Sequence, residues 1–265
     1  MIFNALTPAL IFQLTTRNTA NGIDSLKIVG LVISLVLVLT LISFLISRQL
    51  KLSPITASGF FLSVAFMNAG NYGLSLNQFA LGEEGLIWAS LFYITASMLM
   101  NSFGVFFASS GKMRIQDALK GLLRVPALYS FFLAMIFRLT GTAIPGAIMK
   151  PIDLVGAATI PAMLLVLGMQ IGRAGLPKNI GLVGLASSIR LILSPALAWV
   201  LTLAFRLPTL GSQAGILEAG MPSAVLAIII SLEYDTDPGF VSSVVLLSTI
   251  LSPITLTLIL GLIGI

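Results

Sequence analysis

The chain has 265 residues, of which 57% are hydrophobic and only 9% charged, and its mean hydropathy is +1.08. A soluble domain is nearer a quarter charged, so this composition excludes one and puts the chain in a bilayer, where spans are counted before domains. Cysteine and histidine are both absent, which removes disulfides, thiol nucleophiles, His-Glu-x-x-His zinc sites and Ser-His-Asp triads.

Charge and Pro/Gly punctuation divide the chain into nine predicted spans, at about 1–16, 26–47, 54–80, 86–109, 121–139, 147–172, 180–205, 212–232 and 239–263. No basic n-region precedes the first apolar run, so no cleavable signal peptide is expected. Ser53-Pro54 and Asp237-Pro238 each place a capping oxygen before proline at the first helical position. Glu83 and Glu84 suit a helix N-terminus electrostatically. The 14 basic residues outnumber 9 acidic ones, and in a membrane protein such an excess sets orientation rather than binding nucleic acid. One set of expected loops carries Arg48, Lys51, Lys112, Arg114, Lys120, Arg124, Arg173, Lys178 and Arg190. The opposite set carries Arg17, Lys27, Arg138, Lys150 and Arg206. The richer set is expected in the cytoplasm, with the N-terminus inside and the C-terminus outside a plasma (inner) membrane.

Two spans carry interruptions. One is Phe66-Met67-Asn68-Ala69-Gly70-Asn71-Tyr72-Gly73, the other Leu217-Glu218-Ala219-Gly220-Met221-Pro222-Ser223. Polar groups at that depth are expensive unless protein or water surrounds them. Paired interruptions, one in each half of a chain, form the usual binding-site pattern of secondary transporters. The halves echo each other: Pro8 against Pro161, Gly70 against Gly220, Glu83 against Glu233 and Pro54 against Pro208, at offsets of 150 to 154. The repeat covers five helices, an odd number, so the halves are expected to be inverted. Residues 1–109 then hold four spans of the first repeat, 110–120 a cytoplasmic loop, and 121–265 all five spans of the second. The partner of the fifth span would lie before residue 1, so an upstream helix is expected to be lost or to lie before a start placed too late.

Asn68 and Asn71 share a face at a spacing of three, and each offers two donors and one acceptor. Gly70 and Gly73 let the backbone unwind or approach closely. Pro222 removes a backbone donor, and Ser223 follows it. The half-helix N-termini suit a carboxylate, so Asn68, Gly70, Asn71, Gly73, Gly220, Pro222 and Ser223 are the expected substrate-binding set. On a plainer reading, these amides and glycines only glue packed helices. Glu218 is the one acid well inside a span. An ionised carboxylate there costs about 2.5–3.5 kcal/mol on insertion scales, so it is expected to carry a proton or bind a cation during transport, or else to brace the break as a neutral group. Asp153 reads as a helix-end charge, Asn101 as interhelical packing, and Asn77 with Gln78 as lining of an access path.

At Leu6-Thr7-Pro8-Ala9-Leu10-Ile11-Phe12, Asn68-Ala69-Gly70-Asn71-Tyr72-Gly73-Leu74, Glu218-Ala219-Gly220-Met221-Pro222-Ser223-Ala224 and the tail from Glu233 through Thr255, the sequence resembles the auxin efflux carrier family. That family includes plant auxin exporters and bacterial organic-anion permeases. The resemblance covers nearly the whole chain. It implies an all-α polytopic fold of two inverted five-helix repeats with two broken, crossing helices, here as 4+5 spans. It also implies a transport domain (spans two to four and seven to nine), a scaffold (spans one, five and six), elevator-type movement and a homodimer. Ser75 stands where family members usually carry proline, and the resemblance implies that the first scaffold helix is missing from these residues.

The leading expectation is therefore a secondary carrier for a small organic anion, a carboxylate, with no cofactor and no enzyme activity. No glycine-rich phosphate loop of the ATP-binding type is present. An intramembrane enzyme would need paired acids, a His/Ser set or a metal cluster. A sodium-coupled carrier similar to the bile acid symporters also fits the pattern, as does a non-transporting or truncated membrane subunit.

Overall fold

The computed structural model describes residues 2–17, 22–109, 125–172 and 180–265. The expected basic loop at 110–120, together with Arg124, Arg173 and Lys178, lies outside the described residues. The helices are α1 (Thr7–Arg17), α2 (Gly22–Gln49), α3 (Pro54–Ala65), α4 (Ser75–Leu99), α5 (Val105–Ala108), α6 (Pro126–Thr140), α7 (Gly146–Ala157), α8 (Thr159–Gly172), α9 (Ile180–Ser188), α10 (Ser194–Ala204), α11 (Thr209–Ala219), α12 (Leu226–Glu233) and α13 (Pro238–Leu262). Wider π-helical turns occupy Ile2–Leu6, Ala69–Leu74, Met100–Gly104 and Ile189–Leu193. The protein is an all-α, multi-pass integral membrane protein. Five apolar stretches among the described residues are long enough to cross a membrane: Gly22–Gln49, Ala69–Ala108, Gly146–Val166, Ile180–Ala204 and Pro238–Leu262.

The longest helix shows how the fold is built for lipid. In α2, Ile28, Leu31, Val32, Leu35, Val36 and Leu39 are buried at helical spacing against α3 and α4. The opposite face leaves Leu37, Leu41 and Phe44 more than half exposed. A helix apolar on every side is at home only where its outer face meets hydrocarbon. Ala69–Ala108 runs for 40 residues, about 60 Å of helix, twice the roughly 30 Å hydrocarbon core. Gly82 divides it, with φ 68° and ψ −160° inside α4. That backbone is open to glycine and closed to almost any other residue.

The two expected caps form. Ser53 Oγ accepts from Thr56 N at 3.2 Å, and Asp237 Oδ1 accepts from Phe240 N at 3.2 Å, each with proline following. Thr56 Oγ1 also donates to Asp237 Oδ2 at 3.2 Å, so the starts of α3 and α13 are tied together. The stretch expected as one span at 147–172 is two helices, α7 and α8, parted at Ala158. Asp153 is inside α7 and not at its end, and it pairs with Arg17 at 2.9 Å; Arg17 also reaches Glu83 at 3.4 Å.

One expectation from the charge pattern is overturned. Arg190 is not a loop residue: it sits in the π turn between α9 and α10 and is 0% exposed. It therefore leaves the orientation tally, which becomes eight against five and keeps its sign.

Candidate functional site

Both interruptions are present and they meet. Regular helix stops at Ala65 and again at Ala219; helical winding resumes with the π turn at Ala69 and with α12 at Leu226. Between them Met67 and Ser223 form an antiparallel bridge, with Asn68 N donating to Pro222 O at 2.8 Å and Ala224 N donating to Phe66 O at 3.1 Å. The reason is a shortage of partners. The last carbonyls of α3 and α11 and the first amides of the following segments have no helical partner, and apolar surroundings make each unpaired group cost several kcal/mol. Two broken helices placed side by side satisfy each other. Pro222 has no N–H to offer, but its carbonyl takes the Asn68 amide.

Side chains complete the junction. Ser223 Oγ donates to Ser63 O at 2.6 Å, and Ser248 Oγ accepts from Ser223 N at 3.1 Å. Arg190 donates through Nη1 to Val64 O at 2.8 Å and through Nη2 to Ala219 O at 2.7 Å, and Nη2 also bonds Ser194 Oγ. Ser194 Oγ in turn donates to Ala219 O at 2.8 Å. Ser75 Oγ donates to Asn71 O at 3.0 Å, so this serine stays inside the backbone bonding.

Glu218 is 0% exposed. Its Oε1 accepts from Asn77 Nδ2 at 3.2 Å, while Oε2 and Asn77 Oδ1 have no hydrogen-bond partner. Asn77, expected along an access path, is instead fully buried and also donates to Gly73 O at 2.9 Å. Gly73 is where the carboxyl rests: a Cβ there would stand 2.6 Å from Glu218 Cδ. At Gly70 a Cβ would meet the Tyr93 ring at 3.0 Å, and at Gly220 it would meet Ile259 Cδ1 at 2.7 Å.

Beside the junction is a cavity of about 240 Å³. Asn68, Gly70 and Asn71 line it, together with the start of the second half-helix from Ala224 to Ile229 and the Val125–Ala127 entry to α6. Gly73, Gly220, Pro222, Ser223 and Glu218 are not in its wall; they build the junction behind it. Asn4, Ser97 and Asn101 add polar groups, and among the described residues no charged side chain lines the cavity. Asn68 Nδ2 and Asn71 Oδ1 are buried with no hydrogen-bond partner. Asn101, expected as packing, bonds Ser97 O at 2.9 Å and faces the same space. Asn4, Asn71 and Asn101 all stand in π turns, where the register of the helix slips and a side chain is re-aimed. Sequence reasoning misses Arg190 and Asn4 as functional residues. A signal for Arg190 does exist: it is a lone charge ten residues into the apolar run that begins at Ile180.

Among the described residues no group of three or more His, Cys, Asp or Glu could hold a metal ion. A polytopic bundle with two paired helix breaks beside a mainly apolar cavity that carries several amides defines a transporter-type membrane protein. The chain belongs to the membrane transport protein family, the auxin-efflux-carrier-like transporters, which it matches over residues 1–260. It is 30% identical over 262 residues to an uncharacterized transporter of Methanothermobacter thermautotrophicus, covering 97% of this chain and 85% of the relative. It is 26% identical over 261 residues to an uncharacterized transporter of Methanocaldococcus jannaschii, covering 95% and 84%. This is a family of transporters and not of enzymes.

Proposed function

We propose that the protein is a secondary carrier of small organic anions that works by elevator-type alternating access. The observation that carries this reading is the cavity beside the paired breaks. Four asparagine amides and the first turns of two half-helices face one small space, with no acid among the described residues of its wall. Its volume falls below the roughly 300–1,000 Å³ usual for drug-sized ligands, so a compact solute fits best. Neutral amides and helix N-termini attract a carboxylate without the deep trap of a buried ion pair. The unpartnered Asn68 Nδ2 is the donor such a group would meet.

On this reading the chain is arranged as inverted repeats of four and five spans, over 1–109 and 121–265. The paired breaks are the crossing helices, and α1, α6, α7 and α8 form a scaffold suited to a homodimer. The N-terminus lies in the cytoplasm and the C-terminus outside. Glu218 is the coupling group and carries a proton. Two free oxygens, Glu218 Oε2 and Asn77 Oδ1, are too few to replace the hydration shell of a metal cation, but they suffice to place one proton.

Purified protein in proteoliposomes, offered labelled malate, malonate and indole-acetate with and without a pH gradient, tests the reading. Uptake of at least one acid is expected. Loss of an amide contact to a charged ligand costs about 1.5–3 kcal/mol, so Asn68→Ala is expected to raise KM for that acid roughly tenfold or more. No uptake of any acid, or an Asn68→Ala protein with unchanged KM, would reject it.

A further inference from the structure

Arg190 is the largest fully buried side chain among the described residues, and nothing in a simple packing account requires it. It makes no ion pair among the described residues, where salt bridges involve Arg17 and Lys27. Glu218, one residue before the carbonyl that Arg190 holds, turns its carboxyl the other way, onto Gly73 and Asn77. The guanidinium instead spends its two terminal nitrogens on Val64 O, in the last turn of α3, and on Ala219 O, the last residue of α11. It therefore touches the C-terminal ends of both first half-helices at once. Each such end bears a partial negative charge from its unpaired carbonyls. In carriers with interrupted helices, those carbonyl ends are where a coupling Na⁺ or H⁺ is coordinated.

We propose that Arg190 is a built-in cation: its guanidinium occupies, at the junction of the two half-helix C-termini, the seat that a mobile coupling sodium would otherwise take. The proposal rests on the carrier reading for its meaning in transport, but its chemistry stands on the contacts alone. Two carbonyls converge on one site from different helices, and Ser194 adds a third oxygen. An arginine spans them with a planar fork that is tethered to the chain and so cannot dissociate. A site filled by a tethered charge has nothing to gain from external sodium. The charge stays at the junction on every cycle, outside the wall of the cavity, where it favours an anion over a neutral or cationic solute. The site thus excludes sodium coupling while keeping the electrostatic contribution that sodium would supply.

Thermal unfolding of purified wild type and Arg190→Ala in sodium, potassium and choline chloride tests this without relying on transport. The wild type is expected to unfold at the same temperature in all three salts. Arg190→Ala is expected to unfold earlier and to recover part of the loss on adding sodium or about 20 mM guanidinium, because a ligand that binds only the folded state stabilises it. Potassium and choline should restore less. A wild type stabilised by sodium over choline overturns the proposal, as does a folded Arg190→Ala indifferent to every cation. If Arg190→Ala yields no folded protein, Arg190→Lys decides. A lysine keeps the charge and loses the fork, so it is expected to fold and to ignore sodium; sodium-dependent stability of Arg190→Lys counts against the proposal. Uptake measurements on the same samples separate the two claims. A wild type that moves no organic acid but passes the unfolding test rejects the carrier reading and leaves the seat filled by Arg190. One that moves acids only with sodium rejects the seat and leaves the carrier.

Discussion

One methyl group is enough to disturb the seat of Glu218. Gly73→Ala puts a carbon 2.6 Å from the carboxyl carbon, inside contact distance, and Glu218 must then leave Asn77 or push the chain aside. Overpacking of this kind costs about 1–3 kcal/mol. The loss should be strongly non-additive with Glu218→Ala, which removes the opposing group; additive losses in a double-mutant cycle by thermal unfolding would contradict the contact. Glu218→Gln keeps size and bonding but cannot ionise, so uptake that follows a pH gradient in the wild type should become independent of it. An unchanged pH response removes the coupling role. Among single residues, legibility in the sequence follows chain context. Asn68 and Asn71 are readable because glycines surround them in an otherwise apolar run. Asn77 and Asn101 are not, because their partners, Glu218 and the cavity, lie far away in sequence or only in space. Arg190 is misread whenever charge counts as a boundary mark, although its position halfway along 180–204 argues against that.

The elements carry their own tests. Asp237 caps α13, holds Thr56 of α3, and sits at φ 54°, a left-handed conformation that asparagine and aspartate tolerate better than most residues. Asp237→Ala loses both bonds and the tolerated backbone, so a cost of about 1–2 kcal/mol is expected. Asp237→Asn keeps a capping oxygen and should stay within a few tenths of the wild type in the same unfolding assay. The meeting of the breaks is checked by Met67→Cys with Ser223→Cys. These residues form the narrow, non-hydrogen-bonded pair of an antiparallel bridge, with Cα atoms about 4.5 Å apart, at the near edge of disulfide reach. The native chain has no cysteine to interfere. Rapid crosslinking by a mild oxidant is expected, with uptake retained if both breaks travel as one body; no crosslink would separate the two segments. Caps and breaks are legible because proline, glycine and small oxygen-bearing side chains act locally. The π turns and the division of 147–172 at Ala158 are not, since hydrogen-bond register within an apolar helix leaves no compositional trace.

At the scale of the whole molecule, composition alone requires a helical membrane protein, because only helices satisfy their own backbone in lipid without closing a barrel. Four of the five long apolar stretches each overlap one predicted span, and Ala69–Ala108 runs from within the span at 54–80 through the one at 86–109. Orientation rests on loop charge, several of those residues lying outside the described ones. A cysteine at the C-terminus, Ile265→Cys, is expected to react with a membrane-impermeant maleimide on intact cells; labelling only after lysis would invert the topology.

Arg17 holds Asp153 at 2.9 Å and Glu83 at 3.4 Å from a side chain that is itself 45% exposed. If α1 and α7 stay still while the Gly82 break in α4 travels, the Asp153 grip endures and the Glu83 grip must open on each stroke. Water wets both members of the outer pair, so that catch resists by less than about 1 kcal/mol, and dissolved ions weaken it further. Brine would then act as a lubricant: the same machine should turn over somewhat faster as ionic strength climbs, and a variant lacking Glu83 should run at that pace even in dilute buffer.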